Sequence, residues 1–113
     1  MRAFVAGSTG AIGRFLVPQL VENGHEVVAL VRSAEKAKVV ETMGAKVSFA
    51  DALDKEELTA AIRRTEPEVI IHQLTAIAGV GNFKKFDEAF ARTNRLRTEV
   101  TDTILAAARL VGA

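Results

Sequence analysis

Apolar residues fall along this chain in two alternating rhythms: short unbroken runs, and longer stretches in which they recur every three or four positions. Ala3-Phe4-Val5-Ala6, Val27-Val28-Ala29-Leu30-Val31 and Val69-Ile70-Ile71 are the clearest runs. Runs of this kind, set between helical stretches, predict parallel strands joined by crossover helices. The first strand covers 2–6, and the helix after it places Ile12, Phe15, Leu16 and Leu20 on one face before ending at Asn23-Gly24. Pro18 is expected to kink that helix, because it removes one ladder hydrogen bond. The second strand, 25–31, is almost continuously apolar, as a strand covered on both faces should be. Ser33 caps a helix over 34–43, and Gly44 closes it before a third strand at 45–50. Asp54 and Glu57 form an acidic variant of the capping box, opening a helix that buries Leu58, Ala61 and Ile62. Pro67 introduces the fourth strand, 69–74. A flexible segment over 75–81, with glycines at 79 and 81, precedes a long helix over 85–111 that stops at Gly112.

Right-handed crossovers arrange four such strands in the spatial order 3-2-1-4, a three-layer α/β domain spanning 1–113. The crevice then lies at the switch point between strands one and four. Strand four carries an apolar run that sits badly at an open edge, which makes that edge a place for a second copy to pair.

Composition narrows the function classes. Of 113 residues, 49% are hydrophobic and 26% charged, too apolar for disorder. Fifteen basic and fourteen acidic residues leave a net charge of +1, which gives no bulk electrostatic case for nucleic acid or an anionic membrane. No apolar run has the length of a membrane span, and the N-terminus has no export signal. Cysteine is absent, which excludes disulfides, thiolate nucleophiles and cysteine-held metals and is consistent with a cytoplasmic protein. Tyrosine and tryptophan are absent too. The length is short for a complete nucleotide-dependent enzyme.

The chemistry concentrates at Gly7-Ser8-Thr9-Gly10-Ala11-Ile12-Gly13, a G-x-x-G-x-x-G sequence between the first strand and its helix. Gly7 suits a sharp strand-to-helix turn, Gly10 a close approach to a pyrophosphate, and Gly13 tight packing of helix on strand. The unpaired N–H groups and the dipole at the helix start favour an anion. About twenty residues on, where a NAD site places an acidic residue, stands Arg32. Its guanidinium suits a 2′-phosphate, with Ser33 and Lys36 nearby, so NADP is favoured over NAD; a solvated strand-end arginine is the alternative. Asp51 is positioned to accept from an adenine amino group, with Ala52 and Leu53 beside the ring, and an unliganded acidic turn is nearly as good a reading. Gln73, Leu74, Thr75 and Ala76, at the end of strand four, would face the ribose and nicotinamide. His72 reads as a core histidine. Asn94, a poor helix former in mid-helix, is either exposed or bonded back to strand four. Lys84, Lys85, Arg92, Arg95 and Arg97 lack aromatic partners and read as a solvated helix face. No metal site is expected.

These residues resemble the short-chain dehydrogenase/reductase superfamily, in its extended or atypical branch of NAD(P)-dependent epimerases, dehydratases and NmrA-like proteins. The resemblance rests on Phe4 through Gly13, on Gly24-His25-Glu26-Val27 leading to Val31-Arg32-Ser33, on Ala50-Asp51, and on Asn94 through Ala107. It implies a Rossmann-type fold, with Gly7, Gly10, Ile12 and Gly13 as the pyrophosphate loop, Arg32 as the NADP-selecting position and Asp51 and Ala52 as adenine contacts. It also implies that Asn94 supports the active site. The family's Tyr-x-x-x-Lys pair, in which tyrosine exchanges the proton, has no counterpart here. The chain resembles the first half of the family's domain.

Two functions from different classes follow. One is the NADP(H)-binding portion of an epimerase, dehydratase or reductase, without turnover alone. The other is a non-catalytic nucleotide-sensing or interaction module that forms a homodimer through the strand-four edge. Methyl transfer from S-adenosylmethionine is a weaker third, because that class favours an acidic residue where Arg32 stands.

Overall fold

A computed structural model describes residues 1–10, 12–73 and 83–113. Its elements run β1 (Arg2–Ala6), α1 (Gly13–Glu22), β2 (Glu26–Val31), α2 (Ala34–Thr42), β3 (Lys46–Phe49), α3 (Lys55–Thr65), β4 (Val69–His72) and α4 (Phe83–Val111). All three strand pairings are parallel and the sheet order is β3-β2-β1-β4, the order expected from right-handed crossovers. The expected ends of the strands draw in: residues 25, 45 and 50 leave the ladder, and β4 stops at His72.

Alternation along the central strands divides the interior in two. Ala3, Val5, Val27, Ala29 and Val31 face one way and pack with Val17 of α1 and Ala37 and Val40 of α2. Phe4, Ala6, Val28 and Leu30 face the other and pack with Leu58, Ala61 and Ile62 of α3 and Val100, Ile104 and Ala107 of α4. Both faces of β1 and β2 are therefore covered, which is why their runs lack polar residues. β3 is half-exposed, and every residue of β4 is half-buried.

Two local expectations change. Ile12 and Phe15 are 60% and 64% exposed, while Gly13 and Val17 are buried. The pressure of Gly13 on β1 sets the phase of α1, so Val17, Leu20 and Val21 turn inward and Ile12 and Phe15 turn out. α1 runs through Pro18 as a single element. The capping box is one-sided: the Asp54 carboxylate accepts from the N–H groups of Glu56 and Glu57, but the Asp54 N–H donates to the Asp51 carbonyl at 3.0 Å. With that donor already engaged, Glu57 has no return bond to make.

The amino ends of the strands are tied by charge. Glu26 accepts from Arg2 Nε at 3.1 Å and from Lys46 Nζ at 2.6 Å, bridging β1, β2 and β3. Arg2 also donates through Nη1 to the carbonyls of Thr65 and Glu66 at 3.1 and 3.4 Å. It thereby satisfies the end of α3, where Glu66 takes a left-handed conformation, φ 48°, usually left to glycine. The hydrogen bonds from Lys46 and Arg2 hold the Glu26 carboxyl below its ordinary 4.5.

A lowered carboxylate pKa contributes stability above the unfolded value, and that contribution is lost as pH falls through the folded value. Glu26→Gln is expected to be slightly less stable than wild type at neutral pH, since all three side chains are exposed enough for solvent to screen them. In urea denaturation followed across pH, the gap should close as the pH drops below 4.5.

Candidate functional site

The carboxyl ends of the strands carry the sequence-predicted residues in sheet order: Asp51 after β3, Arg32 after β2, Gly7 after β1 and Gln73 after β4. Adjacent strands lie about 4.8 Å apart, so this row gives an extended ligand four successive landing points. The ends are knitted together. Ala50 N–H donates to the Val31 carbonyl at 3.1 Å, and Gln73 N–H to the Ala6 carbonyl at 2.7 Å.

The turn at the centre of the row is built by its glycines. Gly7 has φ 93°, a conformation that L side chains rarely adopt. Ser8 is buried, and its hydroxyl donates to the Val5 carbonyl at 3.2 Å, while Gly10 N–H donates to the Gly7 carbonyl at 3.2 Å. At Gly13 a Cβ would lie 2.1 Å from the Gly7 oxygen and 2.8 Å from the Ser8 Cα, so only glycine lets α1 meet the turn. Gly10 is different: among the described residues a Cβ there would meet nothing closer than the Gly7 oxygen at 3.4 Å. Internal packing does not account for glycine at that position.

The start of α1 is electropositive. Ile12 stands at its N-cap without a side-chain hydrogen bond, and the first turn holds no acidic residue. Arg14 lies in that turn, with its guanidinium 5.3 Å from the centre of the Phe15 ring. Thr9 completes the turn between Ser8 and Gly10 and is half-buried. The exposed Ile12 and Phe15 give the rim of the turn an apolar lip. Periodicity hides it, because the same spacing also fits a buried face.

Arg32, Ser33 and Lys36 are exposed together where β2 passes into α2. The Ser33 hydroxyl oxygen accepts from the Lys36 N–H at 3.2 Å, which caps α2 and leaves the Ser33 O–H proton available to a ligand. Across the row, the Asp51 carboxylate accepts from the Leu53 N–H at 3.0 Å and is half-buried. Ala52 is buried in the core under α3 and α4, and Leu53 packs against it. These two also floor a groove of about 400 Å³ walled by Lys55, Arg95, Glu99 and Asp102. Asn94 is exposed on α4, with its carbonyl accepting from the Thr98 hydroxyl at 2.9 Å. His72 sits in β4 in register with Ala6. Ala11, Leu74, Thr75 and Ala76 lie outside the described residues.

Comparison with known proteins adds a family, two relatives and two solved structures. The NAD dependent epimerase/dehydratase family matches residues 3–113. A 3-diazoavenalumate denitrifying reductase of a Streptomyces species is 47% identical over all of this chain and 35% of its own length. A 4-hydroxy-2-methyl-3-oxo-4-farnesyl-3,4-dihydroquinoline-1-oxide ketoreductase of Stigmatella aurantiaca is 38% identical over 96% of this chain and 30% of its own. Among solved structures, the UDP-glucose 4-epimerase of Thermus thermophilus in complex with NAD superposes with a TM-score of 0.77 and 28% identity, covering 99% of this chain and 35% of that one. WbmG of Bordetella bronchiseptica in complex with NAD gives 0.76 at 21% identity, over 100% of this chain and 35% of that one, a likeness of fold. The chain thus spans about a third of the length of these proteins.

Gly13→Ala is expected to be destabilised by about 3 kcal/mol or more, at the upper end of overpacking costs, because the intruding methyl meets backbone rather than a yielding side chain. Urea denaturation of the purified chain measures this. Gly10→Ala should unfold close to wild type.

Proposed function

The chain belongs to the NAD-dependent epimerase/dehydratase family, and from that premise we propose that it forms the NADP(H)-binding portion of a reductase or epimerase and performs no turnover alone. The observation that carries this reading is the glycine turn. Gly10 is a glycine that packing among the described residues does not require, beside a start of α1 that has no side-chain cap and no acidic residue in its first turn. A backbone that must come within hydrogen-bond reach of a pyrophosphate explains both features.

When bound, the nicotinamide would supply the hydride chemistry of the family. The chain's own residues bind and orient. The backbone N–H groups of Ile12 and Gly13 at the start of α1 hold the pyrophosphate, Gly10 lets it approach the backbone, and Ser8 braces the turn from beneath. Asp51 and the half-buried Leu53 receive the adenine. Arg32, Ser33 and Lys36 receive the 2′-phosphate, which favours NADP over NAD, since a guanidinium can make paired charge-assisted bonds to a phosphate. Asn94, Leu74, Thr75 and Ala76 complete the cofactor contacts on the β4 side. Tyrosine is absent from the 113 residues, so the family's tyrosine-borne proton transfer has no donor among them. The same reading extends to a cytoplasmic homodimer with a small-molecule ligand and no nucleic-acid or membrane partner. The relatives printed as a reductase and a ketoreductase support carbonyl or related reduction as the reaction class of the whole protein.

A second reading, an interaction module that dimerises through β4, is favoured by the position of β4, which pairs with β1 and borders the described sheet. Sedimentation at micromolar concentration tests it, and a strictly monomeric chain would overturn it.

Calorimetric titration of the chain with NADPH and NADH is expected to show binding with NADPH the tighter. Arg32→Asp should weaken NADPH by about tenfold or more while sparing NADH, tenfold being the scale of one lost charge-assisted contact. No heat with either nucleotide would sink the cofactor reading; equal weakening of both would sink the preference for NADP.

A further inference from the structure

α1 closes in a complete glycine cap. Asn23 is the residue at which the helix ends, and Gly24 follows it with φ 86°. The Gly24 N–H donates to the Val21 carbonyl and the His25 N–H to the Leu20 carbonyl, each at 3.0 Å, the two bonds of a Schellman motif. Among the described residues a Cβ at Gly24 would meet nothing within 4 Å, so backbone conformation rather than packing asks for glycine there. Asn23 adds a third bond, its side-chain Nδ2 donating to the Gln19 carbonyl at 2.7 Å. Both residues are exposed to water.

The same dipeptide carries a reactivity of its own. The amide carbon of an asparagine side chain, Cγ, is an electrophile within reach of the next residue's backbone nitrogen, and joining the two closes a cyclic imide. A side chain on that next residue obstructs the closure, and glycine has none. Of the three asparagines in the sequence, Asn82 precedes Phe83 and Asn94 precedes Arg95; Asn23 alone precedes glycine. In the reaction a hydroxide ion takes the Gly24 N–H proton, the nitrogen bonds to Cγ, and the Cγ–Nδ2 bond breaks. The departing nitrogen takes a proton from water and leaves as ammonia. A second water then opens the imide. Attack at Cγ gives aspartate; attack at the main-chain carbonyl gives isoaspartate, in which the backbone runs through the side-chain carbons.

The folded cap opposes each of these steps. With Asn23 at ψ 12°, the Gly24 nitrogen nearly eclipses the Asn23 nitrogen. The tetrahedral Cα sets Cβ about a third of a turn away round the Cα–C bond, so Cγ cannot meet the Gly24 nitrogen until that bond turns. The proton of the nucleophile is engaged by the Val21 carbonyl, and the leaving Nδ2 by the Gln19 carbonyl. Turning the bond breaks the Gly24 and His25 hydrogen bonds together, so ring closure waits on a local opening at the end of α1.

We propose that Asn23-Gly24 is a site of spontaneous deamidation, with water as co-reactant, at a rate set by how often the cap of α1 opens. The product cannot remake the cap. A carboxylate at position 23 has no donor for the Gln19 carbonyl and places negative charge at the negative end of α1. Isoaspartate also adds a backbone carbon between α1 and β2, close to Glu26, which joins Arg2 and Lys46 across the strand ends. Conversion is one-way, and the converted chain opens more easily than the original. None of this depends on the cofactor reading.

The test is incubation of the purified full chain in mildly alkaline buffer, folded in one series and unfolded in urea in the other. Peptide mapping by mass spectrometry follows the change of amide to acid, and chromatography resolves isoaspartyl from aspartyl peptide. Conversion at Asn23 is expected in both series, about tenfold to a hundredfold slower in the folded one, the protection given by a local rather than a global opening. Asn23→Asp, which stands for the aspartate product, should unfold at lower urea than wild type. Equal rates in the two series would overturn the gating by the cap. No conversion at Asn23 in the folded chain over a correspondingly longer incubation, or earlier conversion at Asn82 or Asn94, would overturn the site. An Asn23→Asp midpoint at or above that of wild type would overturn the loosening of the product.

Discussion

The contact of Gly13 with the Gly7 carbonyl and the Ser8 Cα is the constraint on which the rest of the molecule depends. A Cβ at Gly13 would stand 2.1 Å from that oxygen, so α1 and the end of β1 approach as closely as two backbones can. The closeness fixes three things at once. It sets the rotational phase of α1, with Val17 facing the sheet and Ile12 and Phe15 facing out. It holds the first turn of α1 directly over the end of β1, where N–H donors and the helix dipole act on the same point. It also traps Ser8, whose buried hydroxyl closes the turn onto Val5. A ligand arriving at this point meets donors whose ordering cost was met during folding, which is the general route by which a fixed site gains affinity.

The two ends of the sheet divide the electrostatic tasks. At the amino ends, Arg2, Glu26 and Lys46 satisfy one another across three strands, and Arg2 adds the last carbonyls of α3. At the carboxyl ends, Arg32 and Lys36 flank the start of α2 and Arg14 lies in the first turn of α1, and none of the three forms an ion pair among the described residues. Charges neutralised at one end stiffen the register of the sheet, and charges left available at the other create a field that an anionic ligand can use.

How far these features can be read from the residues depends on whether the governing force is local. Strand order was legible because the handedness of crossovers is general, and the two-sided burial of β2 was legible because its run contains no polar residue. The turn at Gly7 was legible because its φ demands a particular residue type. The outward swing of Ile12 and Phe15 was not, since periodicity gives the spacing of a face but not which face meets the sheet, and Gly13 decided that. The one-sided cap at Asp54 was hidden for a similar reason: its N–H was taken by the Asp51 carbonyl, a competitor that no capping rule counts. Glu66 in a left-handed conformation was invisible because its support comes from Arg2, sixty-four residues away. Within the candidate site, the row Asp51, Arg32, Gly7, Gln73 followed from topology alone, whereas the turning of Ala52 into the core required the packing of α3 and α4.

Affinity and chemistry separate cleanly in such an arrangement. On the proposed reading the row along the strand ends would contact the pyrophosphate, adenine and ribose of a dinucleotide, none of which changes during hydride transfer. Contacts of that kind bind ground state and transition state equally, so by themselves they lower the concentration at which a cofactor loads without speeding its reaction. Acceleration needs a group that answers the charge developing at the reacting carbonyl, and in this family's chemistry a phenol does so. On the proposed reading, with no tyrosine among these 113 residues, the surface formed by β1, β2, β3 and their loops would serve to load the nucleotide. Its design problem is then selectivity between nucleotides rather than rate, and that places the weight on Arg32, Ser33 and Lys36. Ser33 matters there out of proportion to its size: by capping α2 it holds the Lys36 N–H and the end of β2 in a fixed relation, so the cationic corner is in place before a phosphate arrives.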